Sequence, residues 1–113
     1  MGDRVCFVFQ EDNSPSVVLY SHWGGSESAY TLARALRHAH PRWGDTSYFT
    51  RMVICSIIAQ EDAVLDECGF GIYATDRNGL TEFDAFDIFI DTSKRTVDGK
   101  SYQAFIDEHL GGN

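Results

Sequence analysis

The chain has 113 residues, 43% of them hydrophobic and 13% aromatic, so it can bury a core of its own as one domain and falls outside the disordered class. Nine Lys and Arg stand against 17 Asp and Glu, a net charge of −8, which disfavours a DNA or RNA polymer as partner because such binding rests on cations meeting phosphates. Cys6, Cys55 and Cys68 are odd in number, widely spaced and without a histidine at metal-ligand spacing, which argues against a disulfide framework and a zinc site and points to a reducing compartment.

The chain enters a strand-like run directly after Met1-Gly2-Asp3-Arg4, with no charged-then-apolar leader. Its apolar runs are far too short to span a bilayer. The expectation is a cytoplasmic protein with no membrane partner. Residues 4–9 (RVCFVF) and 16–21 (SVVLYS) are rich in β-branched and aromatic residues and flank a cluster of turn formers at 10–15 (QEDNSP), the pattern of a β-hairpin. Both runs are apolar at consecutive positions, so the sheet is expected to be covered on much of both faces.

Beyond Gly24-Gly25, Ser26 is placed to cap a helix in which Ala29, Leu32, Ala33, Leu36 and His40 form an apolar stripe. Pro41 should end it near His40. After Arg42-Trp43-Gly44, Asp45 is placed to cap a second helix from Thr46 to about Gln60, whose Phe49, Met52, Val53, Ile57 and Ile58 imply a central helix with little of it facing water. Residues 69–74 (GFGIYA) read as a strand with Phe70, Ile72 and Ala74 on one face and glycines on the other, a pattern expected where something approaches the backbone closely. A turn at 76–79 (DRNG) precedes a strand over 84–91 (DAFDIFID), Thr96-Val97 adds a short edge strand, and Ser101 caps a last helix through about Leu110. The fold class is therefore α+β: one domain, β-β-α-α-β-β, with a mainly antiparallel sheet of four or five strands, helices packed on it and a C-terminal helix.

Three groups of residues could carry function. His22, Trp23, Gly24, Gly25 and Ser26 lie between a buried strand and a helix start. The backbone N–H groups of Gly24, Gly25 and Ser26 could hold a phosphate or carboxylate, Trp23 could stack on a base, and His22 could orient the ligand or act as acid or base. The same residues would equally make a tight turn with a core tryptophan. Arg51 lies in the most apolar helix, where a guanidinium calls for a bound anion or an internal ion pair with Asp45, Asp87 or Asp91. Arg42, Trp43 and Tyr48 form a basic, aromatic group at the helix junction, for which simple packing is the plainer account. The segment 22–51 holds Arg34, Arg37, Arg42 and Arg51 against Glu27 and Asp45, leaving five bases against fifteen acids elsewhere. A locally positive pocket in a negative chain selects small anions over extended polyanions, because salt limits each field to about 8 Å.

No catalytic residues are assigned. Ser21 and His22 are adjacent on an extended chain and point to opposite sides; Cys6 and Cys55 fall in core elements, where a thiol is inert; Asp87 and Asp91 share a strand face and read as solvent-facing acids rather than metal ligands. No cofactor or metal is expected.

The run Tyr20-Ser21-His22-Trp23-Gly24-Gly25, then Arg42-Trp43-x-Asp45-x-x-Tyr48-x-x-Arg51, then Gly69-Phe70-Gly71-Ile72 resembles a family of small proteins of unassigned activity found in phages, prophages and their bacterial or archaeal hosts. The resemblance spans residues 5–97. By analogy with other small phage proteins it implies an anti-defence role in the host cytoplasm, with sequestration of a nucleotide immune signal as the leading form. The reading that follows is a non-enzymatic binding protein for a small anionic, nucleotide-like ligand, a cyclic nucleotide being one such, held by His22, Trp23, Gly24, Gly25, Ser26, Arg42, Tyr48 and Arg51. The alternatives are a hydrolase or phosphodiesterase using His22, and an acidic inhibitor that docks a host defence protein through Asp84 and Asp87. Self-association is compatible with all three.

Overall fold

The computed structural model describes residues 4–12, 14–21, 27–60, 69–76 and 87–111. Two apolar runs separated by a turn that contains Pro15 form a hairpin, β1 (Val5–Gln10) and β2 (Ser16–Ser21), in antiparallel register with Val5 opposite Ser21 and Phe9 opposite Val17. Helices α1 (Ser28–His38) and α2 (Thr46–Gln60) follow, then β3 (Phe70–Thr75), β4 (Ile88–Asp91), β5 (Thr96–Val97), β6 (Lys100–Ser101) and α3 (Tyr102–Leu110). The described strands form one six-stranded sheet in the order β3-β2-β1-β4-β5-β6. It is antiparallel except for the central β1–β4 pair, in which Phe7 lies opposite Ile88. The fold is thus α+β with a mostly antiparallel sheet and a C-terminal helix, with one strand more than the expected upper count.

β3 and β4 follow one another in sequence but sit on opposite sides of the β1–β2 hairpin. The chain therefore crosses the sheet between them rather than turning back on itself. Beyond β4 the chain is fastened to β1 by Thr92, whose N–H and hydroxyl both donate to the Gln10 carbonyl at 2.7 and 2.8 Å. The extra strand, β6, comes from Asp98-Gly99, both at positive φ, which is what a two-residue type I′ hairpin loop requires.

Side-chain alternation turns Val5, Phe7, Phe9, Leu19, Ile88, Ile90 and Val97 toward the helices, where they form one core with Leu32, Leu36, Phe49, Val53, Ile57, Tyr102, Phe105 and Ile106. Val8 and Val18 point the other way and are also fully buried, so β1 and β2 are covered on both faces, as their unbroken apolar runs imply. On this second face partial burial of the Tyr73 phenol, with Cys6 and Asp87 nearby, raises its pKa.

α1 presents Leu32, Ala33 and Leu36 to the core as expected, but its α-helical part ends at His38, and Pro41 sits in a 3-10 turn, His40–Arg42, that follows. At the far end, Ser101 caps α3 by accepting the Ala104 N–H at 3.1 Å, and Gly111 closes it at φ 82°, the left-handed position that glycine takes without strain. Ser101→Ala should cost about 1 kcal/mol of stability in chemical denaturation; an unchanged midpoint would show that the cap contributes nothing. Gly71 departs from expectation, since a Cβ built there meets nothing within 4 Å. Among the described residues of its own chain it marks no close approach, and in the single chain Gly71→Ala should therefore stabilise the fold by about 0.5–1 kcal/mol, the entropic cost of glycine in a strand. A loss of stability on that change would reveal an unseen neighbour.

Candidate functional site

The corner between α1 and α2 is built on aromatic packing. The Trp43 indole N–H donates to the Leu36 carbonyl at 2.9 Å. His40 meets its ring edge-on at 4.6 Å, Tyr102 does so at 5.2 Å, and Tyr102 stacks on Phe49 at 5.0 Å. Trp43 is a packing anchor that fixes where α2 begins. Phe49 N–H then bonds the Asp45 carbonyl at 2.8 Å, and the Asp45 carboxylate accepts from the Ser47 hydroxyl at 3.3 Å, which sets Asp45 at the head of the helix.

α2 is not the buried helix that its composition suggests. Phe49, Val53, Ile54 and Ile57 are buried, whereas Ser47, Tyr48, Arg51, Cys55 and Ala59 are exposed. The sheet is one strand wider than the helix layer at this end. Ile72 of β3 lies beside Leu19 on the helix-facing side of the sheet, yet is 59% exposed, and among the described residues no helix covers it. The result is a groove of about 960 Å³ between α2 and the β2–β3 edge. Val17, Ile54, Ile58 and Ile72 supply its apolar surface, and Asp45, Thr46, Ser47, Thr50 and Arg51 its polar end. That volume lies within the range of small-molecule sites.

Of the residues singled out from sequence, His22, Trp23, Gly24, Gly25 and Ser26 lie outside the described residues. Arg42 and Tyr48 are brought together, but with each other: the guanidinium lies 4.7 Å from the Tyr48 ring centroid and 3.9 Å from Asp45, with both charged groups about half exposed. Neither lines the groove. Arg51, one turn after Tyr48, does. It is exposed, and among the described residues it has no ion pair, which corrects the expectation of a buried guanidinium paired with Asp45, Asp87 or Asp91. Those acids are otherwise engaged. Asp87 accepts the Cys6 N–H at 2.8 Å, Asp91 accepts Ser93 and Lys94 N–H at 3.0 and 2.9 Å, and Asp45 serves Ser47 and Arg42. Asp87 and Asp91 are thus backbone caps, and among the described residues no cluster of His, Cys, Asp or Glu could hold a metal ion. Cys55, expected in the core, is exposed on the groove wall.

The polar end has a definite electrostatic character. Arg51 supplies a full positive charge, and the first turn of α2 contributes N–H groups that have no acceptor within the helix, together with the positive end of its dipole. Asp45 and Glu11 oppose them at the rim. Such an end favours a compact anion of limited charge over a polyanion. A second polar contact, absent from the sequence reading, joins α1 to α2: His38 Nδ1 lies 2.9 Å from Ser56 Oγ, and Gln60 Nε2 donates to the Thr31 carbonyl at 2.9 Å and to Ser56 Oγ at 3.3 Å. Gln60 occupies the serine hydroxyl from one side and an α1 carbonyl from the other, so the trio reads as an interhelical tie.

No helix among the described residues is long and apolar enough to cross a membrane. Comparison of the chain with family models, curated proteins and solved structures finds no match.

Proposed function

We propose that this protein is a non-enzymatic binding protein for a small anionic ligand with an apolar or planar body, a nucleotide being the leading class, and that the ligand sits in the groove between α2 and β3. The observation that carries the reading is Arg51: a guanidinium exposed at the mouth of a groove, with no carboxylate partner among the described residues, beside the N-terminal turn of its own helix. An anion placed there meets a charge and the N–H donors of a helix terminus together. Val17, Ile54, Ile58 and Ile72 offer the ligand's body an apolar bed. The sequestration of a host immune nucleotide follows from the resemblance to phage proteins and is the biological form proposed for this binding.

The test is thermal unfolding against a panel of mononucleotides and cyclic nucleotides. A ligand at a hundred times its dissociation constant stabilises the native state by about 2.7 kcal/mol, which for a domain of this size raises Tm by about 10 °C. The ligand should be recovered unchanged after incubation. A flat response to the whole panel would remove the nucleotide class, and turnover of the ligand would make the protein an enzyme.

A further inference from the structure

The two edges of the sheet are built differently. β6 is two residues long, carries Lys100, which pairs with Glu108 of α3, and runs straight into that helix. A short strand and a lysine are common means of keeping an edge from pairing with another chain. β3 has six residues with no charge and no proline. Gly71, Ile72, Tyr73 and Ala74 are all exposed, Ile72 at 59% and Tyr73 at 48%. Among the described strands none lies beyond it. In a chain of net charge −8, this uncharged edge is where a second copy meets the least repulsion.

We infer that β3 is a homodimer interface, in which two copies pair β3 against β3, antiparallel, across a two-fold axis normal to the sheet. Such an axis keeps both helix layers on one side, so residues that face each other must share a face. The register centred on Ile72 meets this condition. It sets Ile72 beside Ile72 of the second copy, Phe70 beside Ala74, and Gly71 beside Tyr73. Away from the centre, each large side chain then opposes a small one. The open space over Gly71, where an added Cβ meets nothing within 4 Å, receives the exposed edge of the second copy's Tyr73. Centring on Gly71 would face glycine with glycine, and centring on Tyr73 would face the two rings. In the Ile72 register Asp76, the first charge beyond the strand, lies past the end of the opposing β3. A six-residue strand edge falls short of the roughly 800 Å² per partner of a standard interface; the dimer is therefore concentration-dependent rather than obligate. The pairing rests on the edge alone and does not require the groove to be occupied.

Sedimentation velocity of the intact chain over a hundredfold range of concentration tests it. The expected result is a shift from the mass of one chain to that of two, abolished by Ile72→Lys with circular dichroism and melting retained, because the side chain is already mostly exposed. The register is tested separately. Ile72→Cys should form an intermolecular disulfide under mild oxidation several-fold faster than Thr75→Cys, since facing residues of an antiparallel pair lie within disulfide reach, with the wild type and its own cysteines as background. A one-chain mass at every concentration, a dimer that persists in Ile72→Lys, or faster crosslinking through Thr75→Cys overturns the proposal.

Discussion

Tyr102→Ala is expected to lower the unfolding free energy by about 3–5 kcal/mol, a large part of what a domain has, whereas Tyr102→Phe should leave stability unchanged or raise it. The ring is 1% exposed, stacks on Phe49 and meets Trp43 edge-on, so its removal opens a cavity where α3, α2 and the helix corner meet. The hydroxyl is buried with no hydrogen-bond partner among the described residues, and an unsatisfied polar group is worth less than none. The same phenol gives an alkaline signature. Burial holds its pKa well above the usual value near 10, Asp91 adds to this and Arg95 opposes it. With the native pKa above the unfolded one, the contribution is intact below about pH 10 and declines as the pH rises past it, because the unfolded chain releases the proton first. The decline is up to about 1.4 kcal/mol per pH unit. Denaturation midpoints followed upward from neutral pH should therefore fall more steeply in the wild type than in Tyr102→Phe; parallel curves would mean that the phenol is not held neutral by the fold.

Arg51→Ala should weaken binding of an anionic ligand about tenfold or more, with folding intact. A hydrogen bond to a charged group contributes about 1.5–3 kcal/mol, and the exposure of Arg51 places the effect toward the lower end through solvent screening. Arg51→Lys should recover part of the loss, since the charge returns without the planar fork. Raising the salt concentration should weaken the wild type more than Arg51→Ala. Arg42→Ala is the internal control, because Arg42 is occupied by Tyr48 and Asp45 and lies outside the groove lining; it should change affinity little. Equal losses at Arg42 and Arg51 would point to a diffuse positive field rather than a site.

Local signals in the sequence were readable where the physics is local. Ser101 and Gly111 bracket α3 because a hydroxyl at the N-cap and a glycine at the C-terminal turn each satisfy helix ends. Pro41 and Asp45 separate α1 from α2 for equally short-range reasons. The Asp98-Gly99 pair carried a hairpin signal that accounts for the extra strand. What sequence could not convey was the crossing of the chain from β3 to β4, since the parallel β1–β4 pairing joins residues some eighty positions apart and no periodicity reports on it. The apolar excess of α2 was legible but ambiguous. Phe49, Val53 and Ile57 form the buried stripe, while Ile58 and Cys55 fall outside it and line the groove. Apolar residues beyond those a helix needs for its core signal either complete burial or a binding surface, and only the width of the sheet relative to the helices decides which. Arg51 stands out in the sequence as a charge in an apolar helix, which implies a buried, paired guanidinium; in the structure it is exposed at the groove and unpaired among the described residues.

Methyl-resolved NMR during titration with the nucleotide that gives the largest thermal shift tests the groove most directly. The methyls of Val17, Ile54, Ile58 and Ile72 are expected to shift in a saturable, concerted manner in the wild type and to stay still in Arg51→Ala at the same ligand concentration. Saturable binding that leaves those four residues unmoved would contradict this expectation and place the ligand elsewhere on the protein.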